Sequence, residues 1–134
     1  MIYTSYFDCF GRLHTIDPNL IFISIAGETP NHFNNNEILK YPKLAPKRDW
    51  WNIWFMRYHE NLESQDSQKF YIEKYYETVL NKLDPNKVKS ELLELSNGQN
   101  VVLMCFETSD KFCHRHIVSD WFRKNGIECG EYIC

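Results

Sequence analysis

The chain has 134 residues, 43% of them hydrophobic and 16% aromatic, with a formal net charge of −3 and an isoelectric point near 5.9. That length and apolar content support one domain around one core. The longest apolar run, Leu20 to Ala26 broken only by Ser24, falls far short of the ~20 residues of a membrane span. No block of lysine or arginine suggests direct nucleic-acid binding.

The opening Met1-Ile2-Tyr3-Thr4-Ser5 has neither the basic nor the apolar part of a secretory leader, so a soluble, cytoplasmic protein is expected. Ile2 to Phe7 is aromatic and β-branched and predicts a first strand. Asp17-Pro18-Asn19 is a turn signal, and Leu20 to Ile25 predicts a buried second strand ending at Ala26-Gly27. The polar stretch from His32 to Arg48 reads as a long loop with at most one helical turn. Loops this long in compact domains tend to be functional.

Asp49 is placed to cap a helix through Leu62, with Trp50, Trp54 and Tyr58 on one face. These aromatics read as core in preference to a base-stacking platform. Asp66 or Ser67 is expected to cap the next helix, where Tyr71, Tyr75 and Val79 repeat at four. Asp84-Pro85 is an N-cap followed by proline at the first helical position. That helix carries Val88, Leu92 and Leu95 and stops at Asn97-Gly98. Val101 to Phe106 predicts a buried strand. A last helix from about Phe112 to Lys124 turns Ile117, Trp121 and Phe122 inward, and Ile127 to Ile133 supplies a final strand. The order predicts an α/β fold, a small, mainly parallel sheet flanked by helices in a single three-layer domain over residues 1–134.

The chemistry concentrates where the apolar strand meets the last helix. Glu107 closes the strand, and Cys113-His114-Arg115-His116 opens the helix. In open α/β sheets ligands gather outside the carboxyl ends of the strands. Free N–H groups and the helix dipole favour a thiolate or a bound anion at a helix start. Cys113 is therefore the candidate nucleophile, His114 the base and Glu107 the orienting or acid/base carboxylate, with Arg115 as an anion holder. If the strands are parallel, Thr4, Ser5 and Ser24 reach the same edge. Lys47 and Arg48 are further cations within reach of an anion, though a solvated loop is the simpler reading. The bland alternative is that Cys113 packs beneath the helix and Arg115 pairs with Glu107. Five cysteines with no leader predict free thiols. No Cys-x-x-Cys pair occurs and the spacing of Cys105, Cys113, His114 and His116 is irregular, so neither metal nor cofactor is expected.

The stretch Met104-Cys105-Phe106-Glu107, Phe112-Cys113-His114-Arg115-His116 and Asp120-Trp121 resembles the C-terminal signature of domain-of-unknown-function family 488. Tyr3 to Phe7, Ser24-Ile25-Ala26-Gly27 with Pro30, Leu44-Ala45-Pro46, Tyr71 to Tyr76 and Asp84-Pro85 extend the likeness along nearly the whole chain. The resemblance implies a compact intracellular α/β domain and carries no assigned activity. Many members look to have Asp-x-Arg at the end of the second strand. Here Gly27 stands there instead, and would allow a ligand close to the backbone. Two functions compete. One is an enzyme acting on a small anionic, nucleotide-like or phosphorylated molecule at the Cys-His-Arg turn. The other is a non-catalytic nucleotide-sensing or protein-binding module in which that turn is structural.

Overall fold

A computed structural model describes residues 1–134. Five parallel strands form one sheet: β1 (Ile2–Tyr6), β2 (Ile21–Ser24), β3 (Ile38–Lys40), β4 (Val101–Cys105) and β5 (Cys129–Glu131), in the order β3-β2-β4-β1-β5. Ser24 and Ser5 both sit opposite Met104, so the ends of β2 and β1 flank the end of β4. All five residues of β4 are buried, as a central parallel strand covered on both faces requires. Side chains alternate across it. Val101 and Leu103 enter the larger core, and Val102 and Met104 the smaller one.

Helices cover both faces. α1 (Phe10–Ile16) lies on one side, where Leu13 packs with Phe22, Val102 and Met104. α2 (Arg48–Tyr58), α3 (Gln65–Thr78), α4 (Pro85–Leu95) and α5 (His114–Lys124) cover the other. No helix is long and apolar enough to cross a membrane. α5 buries Ile117, Val118, Trp121 and Phe122, the set its i, i+4 spacing predicts. Asp84 caps α4 by accepting the N–H of Asn86, and Asn97 and Gly98 end that segment at positive φ of 53° and 80°.

Several boundaries differ from expectation. The long loop contains β3, whose short edge pairing with β2 continues through Tyr41 N–H to Ser24 O at 2.9 Å. α2 begins at Arg48 and ends at Tyr58, and its Asp49 carboxylate accepts the adjoining Trp50 N–H without capping the helix. Ser64, two residues before Asp66 and three before Ser67, caps α3 through Ser67 N–H. The five-free-thiol expectation is corrected. Cys9 and Cys134 are disulfide-bonded, and Cys105, Cys113 and Cys129 are free. The pairing follows from topology. β5 lies beside β1, so the chain after β5 meets the turn that follows β1.

Candidate active site

The carboxyl ends of β2 and β4 and the start of α5 enclose a cavity of about 290 Å³. Its floor is Cys105, Cys113 and His114. Glu107, Phe106 and Phe112 come from the β4–α5 connection, and Ala26, Gly27 and Glu28 follow β2. Helix α2 and the chain after it contribute Arg48, Trp51, Trp54, Phe55, Leu62 and Glu63, and α3 contributes Tyr71. The walls are aromatic. Tyr71 meets Trp54 and Phe112 edge-to-face at 4.8 and 5.2 Å, and Trp51 stacks on Phe55 at 5.3 Å. Such T-shaped and offset contacts are the favoured aromatic geometries. Trp54 is also anchored, donating its indole N–H to Ser67 Oγ and O at 2.9 and 3.1 Å.

Cys113 is extended, with φ −154° and ψ 145°, and His114 begins the helix. The change of backbone at this junction brings two neighbouring side chains together, where a continuous strand would send them to opposite faces. His114 Nε2 lies 2.8 Å from Ile25 O, and Nδ1 lies 3.6 Å from Cys105 Sγ. A carbonyl only accepts, so Nε2 donates to Ile25 O and Nδ1 faces the thiols. The ring also packs edge-on against Tyr75 at 5.6 Å.

Burial alone would push the Cys113 thiol up. Hydrogen bonds from Cys105 and His114, with the nearby His114 and Arg115 charges, outweigh it and hold Cys113 well below the usual thiol range. Cys105 moves the other way, through its hydrogen bond to Cys113, its burial and the Cys113 charge. The two thiols are thus pushed in opposite directions, Cys113 toward the thiolate and Cys105 toward the protonated form. Glu107 is raised above the ordinary carboxyl value by burial first, then by the charges of Cys113 and Glu63. Glu63 accepts the Phe112 N–H at 2.9 and 3.2 Å and fixes the β4–α5 connection.

The expected residues divide into two groups. Cys113, His114, Glu107 and Gly27 line the cavity, whereas Arg115, Thr4, Ser5 and Ser24 do not. Arg115 is fully buried and holds Glu131, with Nη2 2.8 Å from Oε2 and Nε 3.2 Å from Oε1. Thr4 and Ser109 donate to the same carboxylate at 2.6 Å each. Ser5 donates to Tyr132 O at 2.8 Å, and Ser24 Oγ accepts the Ala26 N–H at 3.3 Å. Arg115 also lies over the Tyr6 ring at 5.7 Å. Its partner is thus Glu131, not Glu107. A β-carbon on Gly27 would meet no protein atom within 4 Å, so packing does not demand glycine there. The cavity residues on α2 and α3 lie far from the motif in sequence, and their aromatic spacing signals only a buried face.

Burial raises the Glu131 carboxyl, but hydrogen bonds from Arg115, Ser109 and Thr4 and the Arg115 charge outweigh it. Its pKa stays below the ordinary 4.5. A folded-state value below the unfolded one contributes stability that is full above about 4.5 and lost as pH falls through the folded value. Glu131→Gln should therefore flatten the acid limb of the stability curve, measured by thermal melting between pH 6 and 3. An acid limb identical to wild type would contradict this network.

A parallel sheet with a Cys-x-Glu at the end of its central strand and a Cys-His-Arg at the following helix start defines the class of protein, with a cavity built on both motifs. Residues 25–126 match a family model described as DUF488-N3a, the active DUF488-N3 subclade, and the chain belongs to the DUF488 family. The comparisons find no match among curated proteins or among solved structures.

Proposed function

We propose that the protein is an enzyme that uses the Cys113 thiolate on a small, nucleotide-like molecule whose planar part enters the aromatic cavity. The observation that carries this reading is the meeting of Cys113, His114 and Glu107 at one cavity floor and wall. His114, oriented by Ile25 O, is a base placed beside the thiol pair, the arrangement that activates a nucleophilic cysteine. The description of the matching subclade as active supports an enzyme over a binding module.

Cys113 Sγ attacks an electrophilic carbon of the substrate and forms an S–C bond. The bond to the leaving group breaks, and the leaving group takes its electron pair and the proton of Glu107. Water then attacks the same carbon, the S–C bond breaks to restore the thiolate, and the water proton returns to Glu107.

Selectivity follows from the walls. A heterocycle suits the faces of Trp51 and Phe112. The Glu63 carboxylate makes the interior unfavourable for a phosphate. The anionic group belongs at the rim instead, where exposed Arg48 is held only by Glu28 at 3.2 Å, a pair of small worth that a ligand can displace.

The experiment is a fluorescence titration with nucleoside monophosphates. Saturable quenching of the cavity tryptophans is expected, lost in Trp51→Ala and weakened in Arg48→Ala. Quenching that does not saturate, or that survives Trp51→Ala unchanged, contradicts the nucleotide-like ligand.

A further inference from the structure

We infer that Cys105 Sγ, Cys113 Sγ and His114 Nδ1 form a binding site for one zinc ion, whose occupation masks Cys113. The inference rests on the same cavity as the proposed function but does not require Cys113 to be a nucleophile. All three ligand atoms lie within 4.8 Å of one another, and each residue is 5% exposed. Two thiolates and an imidazole are a donor set suited to zinc. Around a tetrahedral zinc, with bonds of about 2.3 Å to sulfur and about 2.0–2.1 Å to nitrogen, a sulfur and a nitrogen stand about 3.5–3.6 Å apart. Cys105 Sγ and His114 Nδ1 are 3.6 Å apart.

The surroundings favour a metal as well. His114 gives its other ring nitrogen to Ile25 O at 2.8 Å, the kind of partner that orients a metal-bound histidine and fixes its tautomer. The Arg115 charge nearby is neutralised by Glu131. The Glu63 carboxylate lines the same cavity and favours a cation. Three protein ligands leave the fourth position for a group from the cavity. The irregular sequence spacing hides this set because Cys105 comes from β4, and Cys113 and His114 meet only through the bend at the helix start.

Zinc bound to the Cys113 sulfur draws off its negative charge and obstructs its approach to a substrate, so metal binding competes with covalent chemistry there. Zinc is therefore a reversible block on the proposed thiol reaction.

The test uses Co²⁺ and Zn²⁺ on the full chain under anaerobic conditions. Co²⁺ should bind one equivalent per chain, with thiolate-to-cobalt charge-transfer absorption and the intense visible bands of a tetrahedral centre, and Zn²⁺ should displace it. Cys105→Ser, checked for folding by thermal melting, should weaken Zn²⁺ by more than about a hundredfold, the upper range for losing a partner merely behind a metal ligand. Zn²⁺ should also prevent alkylation of Cys113, with recovery on adding a chelator. Absence of the charge-transfer band in the wild-type protein overturns the proposal, as does Zn²⁺ affinity unchanged in a folded Cys105→Ser. If cobalt binds with those spectra but Cys113 is inert once stripped of metal, the zinc site stands and the proposed thiol chemistry falls.

Discussion

Arg115→Ala will destabilise the fold by about 3–5 kcal/mol, the range for breaking a buried ion pair by removing one partner. The guanidinium is fully buried and ties α5 to β5 through Glu131, which Thr4 and Ser109 bind from β1 and from the β4–α5 connection. Truncation strands that carboxylate without its ion-pair partner. Arg115→Lys keeps a charge but loses the two-pronged contact, so it should fall between alanine and wild type. A double variant, Arg115→Met with Glu131→Leu, removes both charges together and should cost less than Arg115→Ala alone. Denaturant unfolding of the set measures this. A loss below about 1 kcal/mol for Arg115→Ala, the size of a surface pair, would contradict the strut and restore Arg115 as a free anion holder.

The second large effect is kinetic. His114→Ala should slow alkylation of Cys113 at neutral pH by about 10²–10⁴-fold, the contribution of a positioned base. The ring presents Nδ1 to the thiols because Nε2 is committed to Ile25 O. Alanine leaves the buried pair without a proton acceptor, and it also frees Ile25 O and removes the contact with Tyr75. Thermal melting therefore accompanies the rate measurement. A folded variant that alkylates as fast as wild type would show that His114 only fills space between Ile25 and Tyr75.

The last strand-to-helix turn is legible in sequence because its signals are local. Five apolar residues make β4, and the i, i+4 spacing of Ile117 and Trp121 makes the inner face of α5. The same locality places Cys113, His114 and Glu107 near one another. What the sequence does not show depends on contacts distant along the chain. Ile38-Leu39-Lys40 carries no strand pattern long enough to see, and becomes β3 only by pairing with β2. Phe10–Ile16 is a short helix held by Leu13 against the sheet. Arg115 reads as a ligand-binding residue because its partner, Glu131, lies beyond α5 in a three-residue edge strand. The Cys9–Cys134 bond joins residues 125 positions apart. The aromatic walls are legible in the sequence only as a helix face. Trp54 does belong to the core, at 6% exposure, and lines the cavity too.

The central claim is that the cavity holds an activated thiol at Cys113. Brief treatment of the native protein with iodoacetamide at neutral pH, in the presence of a chelator, followed by peptide mapping, tests it most directly. Cys129 is an internal reference, since it is free, buried and raised by its burial. The account predicts that Cys113 is alkylated first, with Cys105 and Cys129 unmodified over the same interval. Cys113 reacting no faster than Cys129 would contradict it and leave the turn a structural element of a binding module.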